Sequence, residues 1–345
     1  MNTPREHIRE LIAGRPVKAC GFWLGKPHPD TLKLLNARLG THSLEEIQIR
    51  LHDDVRWITP QYVASSYRHP EGKTMRPWRN ANPHGLSGMG LLSDAESVAD
   101  LERVDFPDPQ YLDFTETLAL LEAAGPYYRL SGFWAPFFHD LCYLFGTEEL
   151  LAFLIEEPEL VKAATERICT FYYEANERFY AEAGDRVDAF FFGNDFGTQQ
   201  GLFMSPALFR EHFLPWIGKF AAQAHRHGHA CALHCCGAIA EIIDDLIGAG
   251  VDCLHPMQTA ARGMDPESLA ARFRGRITFM GGVDTQDLLQ NGTPADVERE
   301  VARLLRCFGS RIIIGPSHEA LLPSVNIDNV LQIARAVKLA PQASP

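Results

Sequence analysis

"ACALHCCGAIAEIIDDLIGAG", residues 230–250, carries the pattern that decides the fold. Residues 230–236, "ACALHCC", read as a strand whose run from Ala230 to Leu233 is buried on both faces, with no polar alternation to mark a wet side. The apolar run stops at His234-Cys235-Cys236-Gly237, where a helix-like pattern begins. A buried strand, a polar end and a helix together make one unit of a parallel sheet covered by helices.

Working outward, seven further runs have the same character: residues 17–24, 55–58, 127–133, 188–195, 251–257, 277–284 and 311–318. Helical stretches separate most of them. Ser205-Pro206 has the residue types of an N-cap and first helical position, and Phe209, Phe213, Ile217, Phe220 and Ala224 then recur at three and four. Pro215 is expected to kink that helix, and Pro158 to break another. Eight strand–helix units in 345 residues predict a single (β/α)8 TIM barrel over 1–345, with an N-terminal extension. Residues 60–110 break the rhythm with Pro60, Pro70, Pro77, Pro83, Pro107 and Pro109, and predict an irregular insertion covering part of the barrel mouth.

Bulk properties narrow the function classes. A net charge of −12 disfavours nucleic acid and anionic membranes as partners, since both select basic surface. The opening "MNTPREHIRE" lacks the apolar core of a signal peptide, and no apolar run reaches membrane-spanning length. Eight irregularly spaced cysteines are then expected to be reduced thiols in a cytoplasmic protein.

Several strands end in chemistry-bearing residues: Asp195, His234 to Cys236, His255 to Gln258, and His318 with Glu319 beside it. In a barrel these ends converge on the active-site face. Alternation along a strand puts His234 and Cys236 on one face and turns Cys235 to the other. An imidazole and a thiolate two residues apart can share one zinc ion. The bland alternative is a buried His and a structural Cys finishing a strand. His318, on the eighth strand, is the candidate third ligand, provided its loop leans inward across a mouth roughly 15 Å wide.

"HCCGAIAEIIDDLIGAGVDCLHPMQ", "ITFMGGVDTQDLLQNGTPADVEREV" and "GPSHEALLPSVNIDNVLQIARAV" resemble the uroporphyrinogen decarboxylase superfamily, in particular its branch of cobalamin-dependent methyltransferases. "FFGNDFGTQQGLFMSPALFREHFLPW" extends the likeness upstream. The decarboxylases carry arginines after their first strand, whereas "GFWLGKPHPDT" stands here, and "DDVRWITPQY" places Asp53 and Asp54 before the second strand. Both departures point away from porphyrinogen decarboxylation. The methyltransferases bring His-x-Cys and a later Cys to zinc, so the resemblance implies a metal site of His234, Cys236 and His318, with His318 in place of that Cys. It further implies Zn2+ with methylcobalamin or another corrinoid as co-substrate, a small-molecule methyl donor or acceptor, and a separate corrinoid protein as partner.

Asp195 and Gln258 are candidates to orient substrate and His255 to move a proton, with loop hydrogen bonding as the alternative for each. Phe22, Trp23 and Trp134 are candidates to contact the cofactor. The expected activity is zinc-dependent methyl transfer between a corrinoid and a thiol, folate or methoxylated substrate. A carboxy-lyase and a non-catalytic tetrapyrrole-binding protein are the alternatives.

Overall fold

The computed structural model describes residues 2–63, 65–81 and 85–339; Pro83 lies outside the described residues. Eight parallel strands surround a lumen: β1 Gly21–Phe22, β2 Val55–Trp57, β3 Tyr128–Ser131, β4 Ala189–Gly193, β5 Ala230–His234, β6 Cys253–Met257, β7 Thr278–Val283 and β8 Ile312–Pro316. Their spatial order is β1-β8-β7-β6-β5-β4-β3-β2, which is the (β/α)8 barrel with its seam between β1 and β2. At that seam side chains supplement the backbone. Asp54 Oδ2 accepts from Phe22 N at 2.8 Å, Asp53 Oδ2 accepts from Leu24 N at 3.0 Å, and Asp54 N donates to Phe22 O at 3.0 Å.

All eight predicted strands are present, each shorter than its apolar run. The difference is largest at β1, two residues long and laddered on one side only, to β8. Strand alternation sorts side chains into two cores. Trp23, Val55, Tyr128, Leu130, Ala189, Phe191, Ala232, Cys253, Met280 and Ile313 fill the lumen. Phe22, Phe190, Phe192, Cys231, Leu233, Cys235 and Ile314 pack outward against the helices. Each fully buried large side chain contributes about 1.5–3 kcal/mol relative to exposure.

The N-terminal extension closes the lumen at the strands' N-terminal ends. Thr3 and Glu6 form a capping box on the helix Pro4–Ile12, whose Ile8, Leu11 and Ile12 join the lumen core. Arg5 anchors it to the buried Asp188, just ahead of β4, at 3.0 Å, and Arg9 pairs with the same carboxylate.

One expectation needs correction. The segment after Ser205 is two helices, Pro206–His212 and Leu214–Arg226, divided at Phe213. Pro215 therefore stands in the first turn of a new helix, where its missing N–H costs nothing, instead of kinking one continuous helix. The proline-rich stretch is an irregular insertion, as expected, and includes the helix Pro77–Ala81 and short 3-10 turns at Gly85–Ser87, Val98–Arg103 and Pro109–Tyr111. It is anchored by the fully buried Trp78, and its Leu86 and Met89 reach a cleft at the mouth. The break at Pro158 is as expected, between Thr147–Glu156 and Pro158–Ala183. Among the described residues no helix is long and apolar enough to cross a membrane, and all eight cysteines are free thiols.

Candidate metal centre at the strand ends

Gly193 and His234, at the C-terminal ends of β4 and β5, lie in register with His255 in the middle of β6. His234 continues the inward series of Ala230 and Ala232, so its ring enters the lumen, where it is 4 % exposed. Beyond the strand, Asp195 Oδ1 accepts from Cys236 N at 2.7 Å, and Gln258 Oε1 accepts from Gly237 N at 2.8 Å. These two bonds turn the Cys236 thiol back toward His234 Nε2, 3.3 Å away. Gly237 is required for this turn: its φ is +97°, and a Cβ there would lie 2.5 Å from the Gly197 backbone. Cys235 faces the helix layer, where its sulfur accepts from Phe196 N at 3.5 Å.

The loop carrying His318 does lean inward, because it is stitched to the loop after β1. Lys26 N donates to Glu319 O at 2.8 Å, His28 N to Leu321 O at 3.0 Å, and Thr31 Oγ1 to Leu321 O at 2.7 Å. Gly25 permits this approach: its φ is +85°, and a Cβ would lie 2.5 Å from Glu319 O. Ala320 N donates to His318 Nδ1 at 3.0 Å and orients the ring.

His234, Cys236 and His318 consequently place one ligand atom each within 4.8 Å of one another, and His234, His255 and Glu319 form a second such set. The donors are of the kinds zinc prefers, imidazole nitrogen, thiol sulfur and a carboxylate. Two buried atoms are without a hydrogen-bond partner among the described residues, His255 Nε2 and Glu319 Oε2. Glu319 Oε2 lies 3.4 Å from His234 Nδ1 and 3.5 Å from His318 Nδ1. A cation held here would complete a set of donors that the protein leaves unsatisfied. The residues fit the metal that the sequence implied.

The surrounding charges are arranged in opposition. Burial disfavours a charged His234, but Cys236, Glu319 and Asp195 together raise its pKa well above the usual imidazole value. His255 is pushed the other way, by burial and then by the neighbouring His234 and His318. Burial would raise the Asp195 carboxyl, yet His139 and His234 hold it well below the carboxylate range. The Cys236 thiol is raised by burial, with His234 opposing.

Asp195 and His255 thus join the centre, and Gln258 holds its turn, also accepting from Gln199 Nε2 at 3.3 Å. Trp134 packs 5.3 Å from the His234 ring, centroid to centroid, and Trp23 5.0 Å from that of His255, forming an aromatic floor. Phe22 does not reach the mouth: it is buried on the helix side of β1, because it is one residue out of phase with Trp23. The sequence reading missed His139, whose Nε2 is 3.4 Å from Asp195 Oδ2. Its signal was a histidine in the first helical turn after β3, just beyond that strand's C-terminal end. Asn194 sets that turn by accepting from Phe138 N at 2.8 Å and donating to Ala135 O at 3.1 Å.

A cleft of ≈ 830 Å³ opens beside Cys236, with His139 and Asp195 on its wall. Apolar contacts come from Leu86, Met89, Phe138 and Phe203, and carboxylates from Glu148 and Glu149. No Lys or Arg lines it among the described residues.

Comparison with known proteins agrees with this architecture. No curated protein matches the chain. Among solved structures it is similar to a methyltransferase from Methanosarcina mazei, with a TM-score of 0.66 at 16% identity over 98% of this chain and 99% of that one. At that identity the likeness shows the shared fold. The family model described as Uroporphyrinogen decarboxylase (URO-D) matches residues 90–339, a span that includes seven residues of the centre, His139, Asp195, His234, Cys236, His255, His318 and Glu319. The chain belongs to the uroporphyrinogen decarboxylase (URO-D) family.

Proposed function

We propose that this protein is a zinc-dependent methyltransferase, moving a methyl group between a corrinoid and a small thiol, folate or methoxylated substrate, with the corrinoid presented by a separate protein. The observation that carries the reading is the convergence of His234, Cys236 and His318 within 4.8 Å at the edge of the cleft. The likeness of the whole fold to that of the Methanosarcina mazei methyltransferase supports it. The cleft counts against porphyrinogen decarboxylation, since a polycarboxylate would find no guanidinium among the described residues of its walls.

His234, Cys236 and His318 would hold the ion, with His255 and Glu319 as neighbours that orient His234. When bound, zinc supplies Lewis-acid activation of a nucleophile or leaving group at an open coordination position. The protein's own groups do the rest. Trp134 and Trp23 floor the site and exclude water from the lumen. Asp195 fixes the Cys236 backbone and holds His139 at the cleft wall. His139 turns Nε2 toward Asp195, which leaves Nδ1 as the ring nitrogen that would take or return a substrate proton, with Asp195 stabilising the charged ring.

The test combines metal analysis with spectroscopy. Purified protein is expected to hold about one zinc per chain, lost in Cys236→Ala without loss of secondary structure. Mixing the zinc-loaded protein with methylcobalamin and a panel of thiols, folates and methoxylated aromatics should change the cobalt absorbance with at least one. Metal-free protein after growth in zinc, or no spectral change in either direction, overturns the proposal.

A further inference from the structure

We infer, on the reading of the cleft as the substrate site, that within the substrates proposed above it takes a thiol or methoxylated compound that carries a cationic amine on an apolar body, rather than an anionic one such as a folate. Three properties of the cleft lead there, and the first is its walls. Phe138 and Phe203 present rings with centroids 6.1 Å apart, and Leu86 and Met89 add flexible apolar surface. Phe203 is 39% and Met89 74% exposed, so this apolar surface faces the opening instead of a packed core. Such walls bind an apolar body, and aromatic faces also attract an ammonium group through the ring quadrupole.

The second property is the sign of the charge. Glu148, Glu149 and Asp195 line the cleft, and His139 is the only basic side chain among the described lining residues. The His139 ring already faces Asp195. Glu148 and Glu149 have no ion-pair partner among the described residues. Two uncompensated carboxylates at the rim of a low-dielectric cleft attract a cation and repel an anion, over a range set by ionic strength. The third property is position. Cys236 lies on the cleft wall, so a molecule seated between the aromatic rings and the carboxylates lies against the candidate metal centre.

The experiment uses three benzyl compounds of differing charge: benzyltrimethylammonium, benzyl methyl ether and phenylmethanesulfonate. Each is titrated calorimetrically into the full-length zinc-supplemented protein, into Phe203→Ala, and into the double variant Glu148→Gln/Glu149→Gln. The cation is expected to bind about tenfold or more tightly than the sulfonate at low salt, with the gap shrinking at high salt. In the double variant the gap should fall to about threefold or less while the ether is unaffected. Phe203→Ala should weaken all three. Equal or tighter binding of the sulfonate overturns the inference, as does a gap that survives both glutamine substitutions or the absence of binding by any probe. Zinc content, measured on the same samples, separates the two proposals: a metal-free protein that still discriminates by charge defeats the zinc reading alone.

Discussion

Nδ1 of His234 and Nδ1 of His255 meet at 3.0 Å inside the barrel. Only one of them can carry the shared proton, so the rings are locked into complementary roles, one donor and one acceptor. The contact also joins the two overlapping ligand sets, since His234 belongs to both. Substitution distinguishes them. His318→Ala should abolish stoichiometric zinc, whereas His255→Ala should leave zinc bound but about 10–100-fold more weakly, as for loss of an orienting neighbour. Competition with a chromophoric chelator measures both; the reverse ranking would move the ion to the His234, His255 and Glu319 set. His318→Cys should tighten binding by adding a second thiolate.

The inward lean of the His318 loop rests on Gly25, whose positive φ and lack of a side chain allow contact with the Glu319 backbone. Gly25→Ala is therefore expected to lower zinc affinity by about tenfold or more, although residue 25 offers no ligand atom. Chelator competition checks the affinity, and circular dichroism checks that the barrel persists. Unchanged zinc affinity would show that the loop finds its place without this contact.

Asn194 is wholly buried and bridges the third and fourth strand ends. Asn194→Ala leaves Phe138 N unpaired in the interior and removes one of the two donors to Ala135 O, which still accepts from Phe137 N at 2.9 Å, a loss of about 1–3 kcal/mol. Denaturant unfolding measures it. Because the same bonds set the turn that carries His139, activity should fall further than the population of folded protein explains.

The seam between β1 and β2 predicts a pH dependence. Burial pushes the Asp53 carboxyl up to about 7, against opposing hydrogen bonds from the backbone at Val55 and Leu24. Burial likewise pushes Asp54 up to about 6. A pKa raised in the folded state means that the native protein holds the extra proton, so this contribution to stability is complete below about pH 4. It is lost as pH rises through 6 and then 7. Asp54→Asn keeps an acceptor for Phe22 N and removes one titration, so it should flatten the stability profile between pH 4 and 6 by on the order of 1–3 kcal/mol. Midpoints of urea unfolding across that range test it; an unchanged slope would mean that the seam keeps Asp54 ionised.

What could be read from the chain alone was whatever depends on short sequence distance. Apolar runs and turn residues placed eight strands, and their polar ends marked the face where chemistry gathers. Alternation put His234 and Cys236 on one side and Cys235 on the other, since two positions along a strand fix relative direction whatever the fold. The same alternation separates Trp23 from Phe22, and ignoring it there put Phe22 at a mouth it does not reach. Tertiary structure decided the relations between distant strands. His318 meets His234 only because Gly25, Lys26 and Thr31 hold the last loop against the first, a contact spanning nearly the whole chain. The partnership of His139 with Asp195, and the Glu148 and Glu149 carboxylates beside them without an ion-pair partner among the described residues, also arise from helix and loop packing that no local period encodes. Hydrophobic pattern specifies which face of each element is buried, but the distance between two side chains on different elements is set by how all of those faces close together.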